Sequence, residues 1–490
     1  MLDRIFKLGK EAAVYGLSSI VGRFLNFLLV PFYTNFLGKV GFGVQANIYA
    51  YIAFAFVLYG YGMDSAYMRF VVSSDAADKK QTFSIPFFSL LLTSVLFSLV
   101  IHLFAPEIGD LIGAHGHVDL IRYSSWILCF DTLAIVPFAY LRMTNRAKTF
   151  AGLRILNILI NITLTIVMLL VLRMNLEAVF IANLIASAAT VLMLVLIVVP
   201  QLTVRMSTGL FKDMLKFGMP YVPAGLAGIA IQVIDRPIVR ALTDDATLGV
   251  YSANYRLGVL MMLVVGMFDY AWRPFFLTHA KDQDAPRLFS KVFTYFVALL
   301  MFVFVTGSLF IEDIVRIRAF GRYFIHPDFW GGLSIVPIVL LSYVFTGAYV
   351  NFVVGVYLEK KTKYIPYATG AGAVVNVVAN LILIPRFGIA GAATATLLSY
   401  LVMAIGIYFP SQRLYYVEYE WGRIVRVFFA AGAVVVPVML LGLQPASAVG
   451  IAVKTGATIL FIALIFILKV FDGADIRETR DAISKMFVRS

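Results

Sequence analysis

Charge is what this chain has least of. Asp, Glu, Lys and Arg make up 14% of its 490 residues, against roughly a quarter in soluble globular domains. So few charged side chains cannot clothe a water-soluble body of this size, which excludes a soluble enzyme as the bulk of the chain. Cysteine is nearly missing too: the single Cys129 rules out an internal disulfide framework. No polar stretch is long enough for a separate catalytic domain. No Gly-rich phosphate cradle of the Walker type occurs, so direct drive by ATP is not expected. Asp244-Asp245 lacks the acidic or histidine company of a glycosyltransferase site. His115 and His117 are two imidazoles without a third ligand, a weak basis for a metal site. The chain is therefore not expected to be an enzyme, nor to hold a metal or cofactor. The basic N-terminus lacks an A-x-A-like cleavage site, so no cleavable signal peptide is expected.

What fills the chain instead is hydrocarbon. Apolar residues account for 61% of it, in runs near the roughly 20 residues that cross a bilayer as helix. The pattern predicts about fourteen spans: 12–36, 43–63, 83–104, 119–141, 150–172, 178–199, 214–234, 251–272, 289–311, 333–356, 365–384, 389–409, 424–442 and 447–468. The expected fold is all-α and polytopic. The net charge of +13 is a topology signal and not a nucleic-acid footprint, because Lys and Arg gather in alternate turns. Examples are Arg142, Arg146 and Lys148, or Lys360, Lys361 and Lys363, with Arg477, Arg480, Lys485 and Arg489 in the tail. Both termini are then expected in the cytoplasm. One loop breaks the rule: 312–332, on the outer side, carries Arg316, Arg318 and Arg322. Either the loop packs against acidic neighbours such as Glu312 and Asp313, which is the favoured expectation, or the helix count is wrong locally.

The chain is built twice. At a constant offset Pro31 falls on Pro237 and Gly43-Val44 on Gly249-Val250; one inserted residue later, Ala46-Asn47 matches Ala253-Asn254. Tyr140-Leu141 before a basic turn resembles Tyr357-Leu358. Asn157 and Asn161 in one half answer Asn376 and Asn380 in the other, each pair on one helix face. Six helices per half give a parallel repeat with the substrate path between the halves. The expected division is 1–200, 201–412, and 413–490 for two further helices and a basic tail. Pro31 and Pro237 are candidate hinges, since proline removes a helical hydrogen bond and kinks the helix. Gly225, Gly228, Gly370, Gly372 and Ala373 are suited to close helix contact.

A charge at mid-bilayer costs about 2.5–3.5 kcal/mol on insertion scales, so it marks a cavity or a partner. Arg23, with Asn26 a turn later, lies midway along the first span. Asp235, Arg236 and Arg240 end the seventh; Arg256, Asp269 and Arg273 belong to the eighth. Asp64 and Arg69 close the second as an expected boundary pair, and Asp131 sits alone in the fourth. The halves differ here, with Leu29-Val30 where the second has Asp235-Arg236. Arg23, Arg236, Arg240 and Arg256 suit a diphosphate, which takes bidentate hydrogen bonds from planar guanidinium donors. Asp64, Asp131 and Asp269 are candidate carriers of a coupling proton or sodium ion, or ion-pair partners. A cationic-drug exporter would instead favour acidic cavity residues.

The segments "GYGMDSAYMRF", "IDRPIVRALTDDATLGVYSANYRLG", "DYAWRPFF" and "VVNVVANLILIPRFGIAGAATATLLSYL" resemble the polysaccharide transporter branch of the multidrug/oligosaccharidyl-lipid/polysaccharide (MOP) superfamily. The resemblance covers nearly the whole chain. It implies a V-shaped fold like that of the superfamily's drug exporters, with two pseudo-symmetric six-helix bundles and two additional helices. It also implies an activity: moving undecaprenyl-diphosphate-linked oligosaccharide across a bacterial plasma membrane by alternating access, for O-antigen, capsule or exopolysaccharide synthesis. Helices 1, 2, 7 and 8 would line a cationic cavity. Implied partners are the lipid-linked glycan, the bilayer, and polysaccharide polymerase and chain-length machinery. The basic residues expected of the lipid II flippase branch are not all matched, since the first span has one central arginine. A membrane glycan polymerase or ligase would need larger outer loops than 105–118 and 312–332.

Overall fold

The structure, a computed structural model, describes residues 20–22, 24, 25, 27–73, 78–319 and 321–471. Its helices run α1 (Val30–Phe36), α2 (Gly38–Gly60), α3 (Met63–Ser73), α4 (Lys79–Leu103), α5 (Ala105–Leu111), α6 (Val118–Leu133), α7 (Ile135–Met143), α8 (Ala147–Leu170) and α9 (Glu177–Val198). The second half follows with α10 (Thr208–Gly218), α11 (Tyr221–Val233), α12 (Asp235–Leu242), α13 (Asp245–Leu257), α14 (Val259–His279), α15 (Ala285–Val315), α16 (Val336–Phe352), α17 (Val354–Leu358) and α18 (Tyr364–Leu414). Two more, α19 (Trp421–Leu440) and α20 (Ala448–Ile467), end it. Among the described residues, twelve helices are long and apolar enough to cross a membrane. The first expected span, 12–36, is not one of these twelve, and residues 12–19, 23 and 26 of it lie outside the described residues.

One of the twelve is two crossings. A straight helix of α18's 51 residues would run about 76 Å, more than twice the hydrocarbon thickness of a bilayer. Gly388 divides it at φ 55° and ψ −135°, a conformation that only glycine adopts without strain. The arms return antiparallel. Ser399 Oγ donates to the Gly372 carbonyl at 2.8 Å, and a Cβ on Gly391 would stand 2.3 Å from the Leu383 carbonyl oxygen. The expected pair 365–384 and 389–409 is thus present, joined by a tight bend.

The sequence repeat reappears as geometry. The first helix is interrupted at 28–29, before Pro31, and the seventh at 234, before Pro237. In each case the proline ring excludes the carbonyl one turn back. Asn47 Nδ2 donates to the Ile112 carbonyl at 2.7 Å; its counterpart Asn254 donates to the Phe329 carbonyl at 2.8 Å. Each asparagine pins the connection after its own half's third long helix. Repeated residues therefore do repeated work.

The halves meet through α2 and α13. A Cβ on Gly43 would stand 1.8 Å from the Asp245 carbonyl oxygen, and one on Gly249 1.9 Å from that of Lys39. The contact is reciprocal: each glycine faces the residue four before the other, as a two-fold relation requires. Without side chains the backbones approach closely. At the other end of the same seam Gly62, at φ 73°, lies against the Gly218 carbonyl, with Gly225 against Val57 between them. Of the small residues expected to pack closely, Gly225 and Gly372 do and Ala373 is buried. Gly228 and Gly370 have no atom near enough to meet an added Cβ.

Helices α19 and α20 pack on α15. Lys454 Nζ, in α20, reaches Asp313 Oδ2 at 2.6 Å, and Asp313 Oδ1 accepts from the Ala446 amide at 2.7 Å. Asp313 is thereby committed, which corrects the expectation for loop 312–332. Its arginines rest on rings and not on carboxylates: Arg316 on Trp330 at 4.3 Å, Arg318 on Tyr323 at 4.3 Å and Arg322 on Phe36 at 4.1 Å. Two strands, β1 (Arg318–Ala319) and β2 (Arg322–Tyr323), pair antiparallel there, Arg318 opposite Tyr323 and Ala319 opposite Arg322.

These contacts predict two outcomes. Gly43→Ala forces backbones apart and costs about 3 kcal/mol or more, read as a lowered midpoint of thermal unfolding in detergent. Gly41→Ala, whose Cβ would meet only Leu37 of its own helix at 3.4 Å, leaves that midpoint near the parent's. Lys454→Met strands the Asp313 carboxylate, and removing one member of a buried pair costs about 3–5 kcal/mol. Adding Asp313→Asn recovers part of that loss in a double-mutant cycle.

Candidate functional site

The site lies where the interrupted helices cross the seam. Arg256, two turns beyond Gly249 on α13, points its guanidinium at the first half. It sits 4.7 Å from the Phe42 ring centroid and 5.8 Å from that of Tyr33. Among the described residues it makes no hydrogen bond and no ion pair. Arg236, on α12, is near enough for the two cations to feel each other. Both belong to the second half, and both lie beside the seam with the first.

Their charges are handled differently. Arg236 Nη1 donates to Asp235 Oδ1 at 3.1 Å and to the Gln232 carbonyl at 2.6 Å, and the guanidinium lies 5.1 Å from the Tyr255 ring. Asp235 is buried, at 2% exposure. It also accepts from the Arg236 amide at 3.0 Å and from the Tyr251 hydroxyl. A buried carboxylate needs such donors to remain charged. Asp235 consequently cancels Arg236, and Arg256 carries the uncompensated charge. Gln232, one turn before Arg236, is exposed.

Other expected residues go elsewhere. Arg240 leaves this group. Its Nε donates to Asp245 Oδ1 at 3.2 Å, and its guanidinium lies against Gly113 of the first half, at φ 73°. One helical turn past Arg236 carries it toward the Gly43–Gly249 end, where Asp245 opens α13. Asp269 takes two bonds from Arg273, Nε at 2.8 Å and Nη2 at 2.9 Å, with Tyr357 accepting from Nη1 at 3.3 Å. The expected Asp64–Arg69 pair is not formed among the described residues. Asp64 accepts from Ser65 at 3.4 Å and Arg69 is exposed, because five residues of helix put the two on different faces. Arg23 and Asn26 lie outside the described residues. His115 Nδ1 is 2.8 Å from Asp110, and among the described residues no three His, Cys, Asp or Glu side chains group to hold a metal.

A second polar set within the first half was partly missed. Ser187 Oγ donates to Asp131 Oδ1 at 2.6 Å, and Arg154 is the cation that Asp131 feels. Arg154 lies over Phe138 at 4.3 Å. Asn157 donates to Thr190 at 2.8 Å, Asn161 to Asn183 at 3.4 Å, and Asn183 to Tyr49 of α2 at 2.9 Å. The Asn161–Asn183–Tyr49 series ends on α2, which packs against the α13 that carries Arg256. Arg154 was legible, being an arginine inside the predicted span 150–172. Asn183 and Ser187 carry no charge, and spacing alone gives no reason to single them out. In the second half Asn380 Nδ2 donates to Asn376 Oδ1 at 2.8 Å, both fully buried.

Comparison with known proteins places this arrangement. A family model described as "Polysaccharide biosynthesis protein" matches residues 8–278, more than half of the chain. No curated protein matches in sequence. Solved structures match in fold. The lipid II flippase MurJ in an inward closed conformation superposes with a TM-score of 0.75 at 14% identity, covering 92% of this chain and 98% of that one. A multidrug resistance MATE transporter of the MOP superfamily, outward-facing, gives 0.56 at 16% identity over 83% and 95%. A MOP superfamily transporter from Pyrococcus furiosus, noted for a binding pocket of reversed polarity, gives 0.54 at 14% over 84% and 94%. The chain belongs to the polysaccharide biosynthesis protein family and shares its fold with these membrane transporters.

Proposed function

We propose that the protein is a flippase for undecaprenyl-diphosphate-linked oligosaccharide. It would move the lipid-linked glycan from the inner to the outer leaflet of a bacterial plasma membrane, with both chain termini in the cytoplasm. The observation that carries this reading is Arg256. Its guanidinium, unpaired among the described residues, is held only by two rings of the opposite half. A cation–π contact stabilises by about 0.5–2 kcal/mol depending on solvation. A hydrogen bond to a charged group contributes about 1.5–3 kcal/mol, and a phosphate takes two from one guanidinium. An arriving diphosphate therefore outcompetes Phe42 and Tyr33 for Arg256. Drawing Arg256 off those rings removes a contact between the halves beside the Gly43–Gly249 crossing. Substrate binding and loosening of the seam become one event, and the breaks before Pro31 and Pro237 supply bending points for the halves to rock. The polyprenyl tail stays in the bilayer throughout.

Coupling to a proton or sodium gradient is part of the proposal. Asp131 and Asp64 are the better candidate carriers, because Asp269 is occupied by two Arg273 donors. A second reading, lipid II as the cargo, is favoured by the similarity to the MurJ fold and shares the diphosphate chemistry. Rescue of a strain depleted of its own lipid II flippase selects between the two.

Two measurements test the site. Arg256→Ala lowers outer-leaflet accessibility of the glycan in cells about tenfold or more, with Arg256→Lys between it and the parent; unchanged translocation in Arg256→Ala removes the assignment. In a Cys129→Ser background, a cysteine placed at Gln232 reacts with a membrane-impermeant maleimide once the chamber is open, and undecaprenyl diphosphate slows that reaction. No labelling in any condition would mean that Gln232 faces lipid and no wet chamber adjoins Arg236.

A further inference from the structure

The loop that breaks the positive-inside pattern carries chemistry that the central site does not use. On one face of the β1–β2 hairpin four side chains form a continuous stack. The Arg318 guanidinium lies 4.3 Å from the Tyr323 ring, Tyr323 meets Trp330 edge-on at 5.2 Å, and Trp330 bears Arg316 at 4.3 Å. The register explains the order, since Arg318 and Tyr323 are directly opposed and so share a face. Trp330 is fixed in turn by its Nε1 bond to the Ile325 carbonyl at 3.0 Å. The stack sets the planes of two guanidinium groups and leaves both without a carboxylate partner among the described residues. Arg318 donates to the Tyr323 hydroxyl, and Arg316 makes no hydrogen bond among the described residues. Arg316 Nε is buried without a partner, a costly condition for a charged donor.

The nearby acids do not neutralise them. Asp313 is taken by Lys454 and the Ala446 amide. Glu312, one turn before Arg316, is exposed and forms no ion pair among the described residues. Tyr and Trp with arginine at a helix-end turn are characteristic of the headgroup layer of a membrane.

We propose that Arg316 and Arg318, oriented by Tyr323 and Trp330, form a second phosphate-binding site, at the end of the bundle away from the basic turns. The ligand class is a lipid with a phosphate or diphosphate headgroup. Two planar forks with fixed orientation suit such a group better than an isolated carboxylate, and the buried Arg316 donor gains the partner it lacks. The site stands apart from Arg256 and does not depend on the reading of that residue.

The test uses the full-length protein carrying Arg256→Gln, so that the seam cannot contribute, in nanodiscs of zwitterionic lipid. Inorganic diphosphate is titrated by calorimetry. Binding is expected to persist in this background and to weaken about tenfold or more when Arg316→Gln and Arg318→Gln are added. The pair Arg316→Lys and Arg318→Lys, which keeps the charge and loses the fork, falls between. Adding phosphatidylglycerol to the nanodisc identifies the source: competition assigns the site to a bilayer phospholipid, and its absence to the translocated diphosphate. No binding in the Arg256→Gln background, or equal binding with and without the two glutamines, overturns the proposal. Failure here leaves the translocation assay on Arg256 untouched, so the two ideas fall separately.

Discussion

Two glycines facing each other across a pseudo-two-fold axis set the limits of everything else in this molecule. Because Gly43 and Gly249 carry no side chains, α2 and α13 touch backbone to backbone, and the remaining helices of each half arrange themselves around that crossing. The same closeness delivers Arg256, two turns on, into the aromatic face of the other half. A larger residue at either glycine would widen the crossing and carry the guanidinium away from Phe42 and Tyr33. The position of the binding charge is in this sense a result of backbone packing, with electrostatics acting afterwards.

The electrostatics then separate two arginines that look alike in sequence. Arg236 and Arg256 both lie near the ends of short helices, yet Asp235 precedes one and no acid reaches the other among the described residues. A cation held by rings, with no acid in reach among the described residues, would be poised in the flippase we propose: stable enough to survive in the membrane, weak enough to yield to a phosphate. A carboxylate beside Arg256 would pair its charge as Asp235 pairs that of Arg236.

Much of the architecture could be read from the chain. A constant offset pairs Pro31 with Pro237 and, after one inserted residue, Asn47 with Asn254, and the members of each pair meet like surroundings. What could not be read was the choice of partner. Arg240 and Asp245 are five residues apart and join across a turn, whereas Asp64 and Arg69, equally spaced, lie on one helix and do not. Loop 312–332 was expected to be soothed by carboxylates, but Asp313 is drawn off by Lys454, 141 residues away, and rings take the arginines instead. Long-range competition of that kind leaves no local pattern. Arg154 is different: the rule that singled out Arg256 applied to it equally.

The last two helices pack mainly on α15, by apolar contacts and by Lys454. Trp421 at the start of α19 adds ring contacts to Phe352 of α16 and Tyr408 of α18, all in the second half. Whatever rotation the second half undergoes, they must share it, like a rudder fixed to one hull of a catamaran. Neither can serve as a wedge between the hulls. A probe attached to Val449 or Ile459, both on the outside of α20, would therefore report the tilt of one hull against the surrounding lipid without entering the passage between them.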